Sequence, residues 1–209
     1  TERFQSIVKP RMSVIDIGAH IGYYTLLAAK LVGESGKVYA FEPEPDNYSI
    51  LTSNILANNY ENIIATQSAV SDQIGSTHIY LTALDSGRHS IYRHGLPELG
   101  VAQVNTTTLD SFLGLEGWPH IDVMKMDVEG AEIAVFNGMS ELMERCPNLQ
   151  LLVEFNPSLL KNSGSKPQEF LLRLLEDSWD IEIIDEVYKG SRLIEGDVDT
   201  LTNKLLVVG

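Results

Sequence analysis

Short apolar segments alternate with segments of helical periodicity along most of the chain. Residues 13–18 are almost wholly apolar and end in Gly18, which is typical of a parallel strand that is buried on both faces. Over residues 22–31 apolar side chains recur at helical spacing, and Gly33 ends the element. A strand, a glycine turn and a helix in this order predict the opening of a nucleotide-binding unit.

The same alternation continues to the end of the sequence and predicts one sheet. After the second strand, a helix carries Tyr48, Leu51 and Ile55 on one side. The seven predicted strands are residues 13–18, 37–41, 62–66, 121–126, 149–155, 181–185 and 205–208. Strands that alternate with helices predict a doubly wound α/β sheet.

Residues 72–108 interrupt this regular pattern. They are rich in Ser, Thr, His and Gly, with short alternating pieces at residues 77–82 and 101–107. We predict that they form an insertion of strands and loops after the third strand. The insertion includes Arg88, His89 and Ser90, a composition that suits either the binding of a polar acceptor or a solvated loop.

Residues 165–168 predict the start of a helix. Ser165 and Gln168 have the Ser-x-x-Gln spacing of a capping box, and Pro167 falls in the first turn. Apolar residues follow at helical spacing, namely Phe170, Leu171, Leu174 and Leu175. We therefore predict a helix here that is capped by Ser165.

Length and charge limit the function. A chain of 209 residues and 23.2 kDa predicts a single domain over residues 1–209. Its 15 Lys and Arg against 29 Asp and Glu give a net charge of −14, the wrong sign for neutralising the phosphates of a nucleic acid. No apolar run reaches the roughly 20 residues that span a bilayer. We therefore expect neither a nucleic-acid substrate nor a membrane span.

Cysteine usage bears on the cellular location. Cys146 is the one cysteine of the sequence, which excludes an intramolecular disulfide and a Cys-rich metal site. The sequence also starts without a charged and apolar leader. We expect a cytoplasmic location.

The turn after the first strand differs from a dinucleotide-binding turn. Gly18 and Gly22 allow a tight turn and a close approach of the backbone to a ligand. The pattern G-x-G-x-x-G is absent, and His20 stands in the way of a pyrophosphate. Asp16 would repel a pyrophosphate but attract an amino-acid ammonium or a sulfonium group. A nicotinamide or flavin cofactor is therefore disfavoured.

Glu42 ends the second strand and is a candidate ribose ligand. It follows the glycine turn by about 20 residues, where a carboxylate accepts the hydroxyl hydrogens of a ribose. A ribose and a cationic amino-acid arm without a phosphate indicate S-adenosylmethionine, whose product is S-adenosylhomocysteine. The alternative is that Glu42 only favours the dipole of the following helix.

Four motifs follow one another between residues 16 and 132. They are Asp-Ile-Gly-Ala-His-Ile-Gly-Tyr-Tyr-Thr at residues 16–25, Phe-Glu-Pro at 41–43, Thr-Leu-Asp at 108–110 and Lys-Met-Asp-Val-Glu-Gly-Ala-Glu at 125–132. In this order they resemble the FkbM family of S-adenosylmethionine-dependent methyltransferases. The resemblance implies a Rossmann-like class I methyltransferase fold whose final two strands form an antiparallel hairpin. It also implies methyl transfer to a hydroxyl oxygen, often on sugars or secondary metabolites.

We predict that the cofactor lies across the first two strand ends, with the turn of residues 16–22 beneath its amino-acid arm and Glu42 on its ribose. Ser68 and Ala69 follow the third strand, where relatives of this fold meet the adenine edge. The ordinary methyltransferase turn has a third glycine where this chain has His20. The predicted cofactor-binding residues are Asp16, Gly18, Ala19, His20, Gly22, Tyr23, Glu42, Ser68 and Ala69.

Charged residues at the ends of two later strands are the catalytic candidates. Lys125 and Asp127 share a face of their strand, and Glu129 joins them if the chain stays extended. Glu154 ends the neighbouring strand and can converge on the same pocket. We predict that these four residues serve catalysis, with Asp127 as the base or as the group that holds the acceptor hydroxyl.

Other roles for these residues stay open at this point. Lys125 and Asp127 could form a structural ion pair, and Glu129 could lie at the start of the next helix and favour its dipole. Asp127 and Glu154 could also hold Mg²⁺ through oxygen ligands, although no third ligand is fixed by the sequence.

The acceptor is expected to be a small molecule or a glycan. Because a fold does not fix the acceptor atom, N-methylation and carboxyl-methylation are alternatives. A Rossmann-type oxidoreductase and a non-catalytic nucleoside-binding domain are less favoured alternatives.

Overall fold

The structure is a computed structural model that describes residues 1–83, 86–93, 95, 97–177, 179, 181–185, 190–193 and 205–208, from residue 182 onwards as backbone only. None of the helices in these ranges is long and apolar enough to cross a bilayer. The helices are α1 (Glu2–Ile7), α2 (Tyr23–Val32), α3 (Pro45–Ala57), α4 (Leu109–Leu115), α5 (Glu132–Asn137), α6 (Ser140–Arg145), α7 (Pro157–Asn162) and α8 (Pro167–Glu176), with a 3₁₀ turn at Ser86–Arg88. The strands are β1 (Ser13–Ile17), β2 (Lys37–Phe41), β3 (Ile63–Thr66), β4 (Ala69–Val70), β5 (Gly75–Thr82), β6 (Glu98–Thr107), β7 (Val123–Met126), β8 (Gln150–Val153), β9 (Ile181–Asp185), β10 (Gly190–Leu193) and β11 (Leu205–Val208).

The main sheet has its strands in the order β10-β9-β11-β8-β7-β1-β2-β3. Strands β3, β2, β1, β7 and β8 are parallel, and β11, β9 and β10 continue the sheet antiparallel. The strand order changes direction at β1, since β2 and β3 lie on one side of it and β7 and β8 on the other. In doubly wound sheets, ligands bind at this switch point, outside the carboxyl ends of the strands.

The described sheet has eight strands, so the predicted count of seven is one short. Each of the seven predicted segments contributes a strand, and the additional one is β10, which pairs with β9 at the edge. The sequence Gly-Ser-Arg-Leu of β10 has too few apolar positions to give a strand signal. The last two predicted strands, β9 and β11, pair antiparallel, but β10 lies between them in the chain, so they do not form the hairpin that the resemblance implied.

The insertion supplies β5 and β6 of a second sheet, whose strand order is β4-β6-β5 and whose strand β4 precedes the insertion. Strands β5 and β6 pair antiparallel, with Gly75 opposite Thr106, and β4 pairs parallel with β6. Ile79 and Val104 are buried in a small cluster with Ala69. The predicted insertion of strands and loops is thus present and has an apolar cluster of its own.

Strand β1 illustrates how the main sheet is buried on both faces. Ile15 and Ile17 pack in the cluster on one face, and Val14 packs with Ala28 of α2 on the other. Because side chains alternate along a strand, Asp16 lies on the Val14 face, and it is 0% exposed. The strand therefore carries a carboxylate into the core.

Helix α8 begins in the predicted place, but its cap differs from the prediction. Pro167 is the first helical residue, and the N-cap is Lys166, whose side chain makes no capping hydrogen bond. The hydroxyl of Ser165 accepts a hydrogen bond from the Ser163 hydroxyl at 3.0 Å. Ser165 as the cap is therefore wrong, because proline at the first helical position places the cap one residue later.

Gly18 allows the end of β1 to approach the end of β7. Its φ is +75°, and a Cβ at this residue would lie 1.8 Å from the carbonyl oxygen of Asp127. The N–H of Asp127 donates to the carbonyl of Ile17 at 3.0 Å. A side chain at residue 18 would therefore force the two strand ends apart.

We expect Gly18→Ala to lower the free energy of unfolding by about 2–5 kcal/mol, because left-handed strain and the collision with Asp127 add. Gly117→Ala is the matched control, since Gly117 has φ +79° and nothing within 4 Å of a Cβ. Its free energy of unfolding should fall only by the cost of the left-handed strain, about 1–2 kcal/mol. Urea unfolding of both variants measures the difference, and equal losses would contradict the close approach at Gly18.

Candidate active site

A cavity of about 230 Å³ opens at the carboxyl ends of the central strands. Its walls come from the turn after β1, the ends of β2 and β7, the residues after β3, and residues 86–91 of the insertion. This is the switch point of the strand order, where the ligands of such sheets bind.

The cavity brings together most of the predicted site residues. Of these, its lining contains Gly18, Ala19, His20, Tyr23, Glu42, Ser68, Ala69, Lys125, Asp127 and Glu129. Asp16 and Gly22 are not in the lining: Asp16 is fully buried, and Gly22 is the N-cap of α2. Glu154 is exposed after β8 and is also outside the lining.

Asn47 and Ser86 are among the polar residues of the lining that were not predicted. Asn47 is 4% exposed in the first turn of α3, and its Nδ2 donates to the carbonyl of Ser86 at 3.1 Å. The sequence offers a faint signal for Asn47, a polar residue on the buried side of a helix start. It offers none for Ser86, because nothing in the insertion fixes its distance from α3.

The turn after β1 is held by hydrogen bonds to β2 and to Glu42. The N–H groups of Gly18 and Ala19 both donate to the carbonyl of Phe41 at 3.0 Å. The N–H of His20, whose φ is +52°, donates to Glu42 Oε2 at 2.7 Å. In a dinucleotide-binding turn, backbone N–H groups donate hydrogen bonds to the pyrophosphate. In this turn, the N–H groups donate to other residues of the protein instead.

Glu42 is a buried carboxylate at the wall of the cavity, 5% exposed. Its Oε2 accepts from His20, and its Oε1 accepts from the N–H of Glu44 at 3.0 Å. Burial raises the pKa of Glu42 to about 7, although these hydrogen bonds act in the opposite direction. A carboxylate has about four acceptor sites, and the side chain of Asn47 is a third hydrogen-bond partner of Glu42, so Glu42 has capacity for one further donor.

Lys125 joins two carboxylates at the ends of β1 and β7. Its Nζ lies 3.5 Å from Asp16 Oδ1 and 3.4 Å from Asp127 Oδ2, and it donates to the carbonyl of Gly18 at 3.4 Å. Asp16 Oδ2 accepts from the hydroxyl of Thr25 at 2.7 Å. Burial acts to lower the pKa of Lys125, but the two carboxylates outweigh it and the net shift is upward. The ion pair considered for Lys125 and Asp127 is therefore present and extends to Asp16.

Glu129 and Glu132 add acidic groups beside this ion pair. Glu129 lines the cavity with φ +51°. Glu132 is 2% exposed in the first turn of α5, and its Oε1 accepts from the N–H of Gly130 at 3.1 Å. Burial, aided by the charges of Asp127 and Glu154, raises the pKa of Glu129 to about 8 and that of Glu132 to about 7. Groups that exchange protons near neutral pH are common in catalytic sites.

The arrangement of acidic groups gives no support to a Mg²⁺ site. Within the described ranges, no three His, Cys, Asp or Glu side chains are grouped so that they could hold a metal ion. Of the two carboxylates considered for Mg²⁺, Asp127 pairs with Lys125 and Glu154 is exposed.

Comparison with known proteins relates this chain to methyltransferases. A model of the FkbM methyltransferase domain matches residues 16–177. The chain is similar to Methyltransferase sdnD of Sordaria araneosa, 25% identical over 193 residues that cover 78% of this chain and 71% of that protein. It is also similar to Methyltransferase 1 of Beauveria bassiana, 25% identical over 146 residues that cover 61% of this chain and 58% of that protein.

Two solved structures share the fold at low sequence identity. An FkbM methyltransferase from Methylobacillus flagellatus superposes with a TM-score of 0.57 at 14% identity, covering all of this chain and 50% of its own. A putative methyltransferase from Streptococcus mutans, solved in complex with SAH, has a TM-score of 0.53 at 11% identity, with 99% of this chain and 92% of its own covered. This chain thus spans about half of the first structure and less than two thirds of the Beauveria relative.

We expect Lys125→Met to lower the free energy of unfolding by about 3–5 kcal/mol, because it leaves the buried carboxylate of Asp16 without its cation. Lys166→Met is the control, since Lys166 pairs with Glu169 at 2.7 Å on the surface and should change stability little. Denaturant unfolding measures both variants. A Lys125→Met protein as stable as the parent would contradict the structural role of this ion pair.

Proposed function

The chain belongs to the FkbM methyltransferase family, and on this basis we propose that it transfers the methyl group of S-adenosylmethionine to a hydroxyl oxygen of a small molecule or sugar. The observation that carries the proposal is the buried carboxylate of Glu42 in the cavity lining. Its capacity for a further hydrogen suits a ribose hydroxyl. The turn after β1, whose N–H groups are used inside the protein, suits a ligand without phosphates.

The charges at the end of β1 suit a cationic methyl donor. Asp16 and Asp127 bring two negative charges and Lys125 one positive charge, so one negative charge remains in excess. A sulfonium group near the Gly18 turn would be attracted by this charge. Ser68 and Ala69 line the cavity at the end of β3, where we place the adenine.

Asp127 is our candidate for the group that receives the proton of the acceptor hydroxyl. S-adenosylmethionine supplies an activated methyl group whose thioether leaving group needs no acid. The protein therefore has to align the acceptor and take up its proton. The side chain of Asp127 lines the cavity and is 33% exposed, so an acceptor can reach it. Lys125, 3.4 Å away, fixes the orientation of this carboxylate.

The charge around the cavity bears on the acceptor. The chain has a net charge of −14, and Asp127, Glu129, Glu132 and Glu154 act on one another electrostatically near one wall. A nucleic-acid phosphate or a carboxylate acceptor would be repelled there. We therefore favour a neutral or cationic molecule that carries a hydroxyl group.

We expect the affinity for S-adenosylhomocysteine to depend on pH through Glu42. A carboxylate accepts ribose hydrogens best when it is ionised, and Glu42, with a pKa of about 7, is largely ionised at pH 8 and largely protonated at pH 6. Binding should therefore be about tenfold weaker at pH 6 than at pH 8, as measured by calorimetry.

Glu42→Ala should weaken the binding at pH 8 by about 10- to 150-fold and remove this pH dependence. Glu129 and Glu132 also titrate near neutral pH. Loss of the pH dependence in Glu42→Ala would therefore assign it to Glu42 and not to these two residues. Glu34→Ala, at an exposed residue, should keep both the affinity and the pH dependence. Unchanged affinity in Glu42→Ala would overturn the assignment of the ribose.

We expect Asp127→Asn to slow turnover by about 10²- to 10⁴-fold, because the amide keeps the shape but cannot accept the proton. The assay uses labelled S-adenosylmethionine with a panel of hydroxyl, amine and carboxyl compounds, so that it also identifies the acceptor atom. Affinity for S-adenosylhomocysteine should stay the same. Asp177→Asn, on the exposed end of α8, is the control, and a near-normal rate in Asp127→Asn would eliminate the proton-acceptor role.

A further inference from the structure

Residues 86–91 of the insertion, which we call the strap, form one wall of the cavity. Ser86, Gly87, His89, Ser90 and Ile91 are all in its lining. Neither family motif nor periodicity assigns these residues a role. The contacts at the two ends of the strap differ in kind, and this difference carries the inference.

The Ser86 end of the strap is attached to the cofactor side of the cavity. Nε2 of His20 shares a hydrogen bond of 2.7 Å with the Ser86 hydroxyl. Asn47 of α3 donates to the Ser86 carbonyl at 3.1 Å. Ser86 itself is exposed, so water can replace its contact with His20 at low cost, whereas release of the buried amide of Asn47 costs more.

The Ser90 end is attached to the catalytic side and is buried, with Ser90 2% exposed. The hydroxyl of Ser90 donates to the carbonyl of Glu129 at 2.7 Å. Its backbone exchanges two hydrogen bonds with Tyr80 of β5, at 2.7 and 3.3 Å. Opening this end would leave buried polar groups without partners, which costs more than releasing an exposed group.

We propose that His20 is a positioning residue that holds the strap over the cavity, and that the Ser86 end is the one that releases when the cavity opens. The Ser90 end stays attached and acts as the hinge. The imidazole of His20 reaches the strap while its N–H holds Glu42 Oε2. His20 therefore contacts both Glu42, which we propose binds the ribose, and the strap. That the methyl donor passes beneath the strap rests on the proposed function, whereas the attachment itself does not.

Limited trypsin digestion of the ligand-free protein tests the attachment, because Arg88 is an exposed cleavage site within the strap. If cleavage follows the population of the open strap, loss of one exposed hydrogen bond should speed it by roughly 3- to 10-fold. We expect this increase in His20→Ala and in Ser86→Ala, and no further increase in the double variant. Mass spectrometry of the fragments identifies the cut after Arg88.

Two further variants separate the side-chain contact from backbone strain at residue 20. A glutamine amide reaches about as far as Nε2 of histidine, so His20→Gln should retain most of the protection. Asparagine tolerates a left-handed backbone better than glutamine does but is too short to reach Ser86, so His20→Asn should be cleaved like His20→Ala. His78→Ala, at an exposed histidine of β5, should match the parent protein.

The outcomes separate the strap from the proposed function. Unchanged cleavage in His20→Ala, or faster cleavage in His20→Gln than in His20→Asn, would overturn the positioning role. Thermal unfolding of each variant shows whether faster cleavage arises from global unfolding instead, and a matching loss of stability would also overturn it. S-adenosylhomocysteine should slow the cut in the parent protein. Failure to bind it would refute the proposed function while leaving the result for the ligand-free protein intact.

Discussion

The buried ammonium group of Lys125 is the contact on which the geometry of the site depends. Asp16 and Lys125 are register partners on adjacent parallel strands, so their side chains lie on the same face of the sheet. Each of the two buried charges needs the other, because an unpaired charge in the core is very costly. The same ammonium contacts Asp127 and the carbonyl of Gly18. The two central strand ends, more than a hundred residues apart in sequence, are thereby fixed against each other where the cavity opens.

Burial raises the pKa values of three acidic side chains at or beside the cavity. The pKa values of Glu42, Glu129 and Glu132 are raised to between about 7 and about 8. A carboxyl group with a raised pKa favours the folded state at low pH, and this contribution is lost as pH rises from about 4.5 towards the raised value. Near neutral pH the free protein therefore holds acidic groups whose ionisation opposes folding. A ligand that donates hydrogen bonds to these glutamates, or brings positive charge near them, stabilises their ionised forms. Binding of such a ligand is then coupled to the ionisation of these glutamates.

Residues at strand ends could be predicted from the sequence, because the ends of parallel strands converge whatever the detailed packing. Glu42, Lys125 and Asp127 follow from this rule and line the cavity. The rule does not tell whether a side chain turns towards the cavity or towards solvent. Glu154 ends a neighbouring strand and yet lies exposed, and the rule could not predict this. Contacts between the insertion and the main sheet could not be predicted, because no periodicity relates Ser86 to His20. The same limit applies to the edge strand β10, whose pairing compensates for its weak apolar pattern.

His20 violates a local preference, and its contacts explain why. A histidine at φ +52° carries a strain of about 1 kcal/mol that glycine would avoid. Glycine would keep the N–H that holds Glu42, so that hydrogen bond alone does not require histidine. The contact with Ser86 requires a side chain that reaches the insertion, which the imidazole supplies and glycine lacks. The residue at position 20 and the insertion are therefore matched to each other: the strain at the turn is offset only in a chain whose insertion brings a partner to the imidazole.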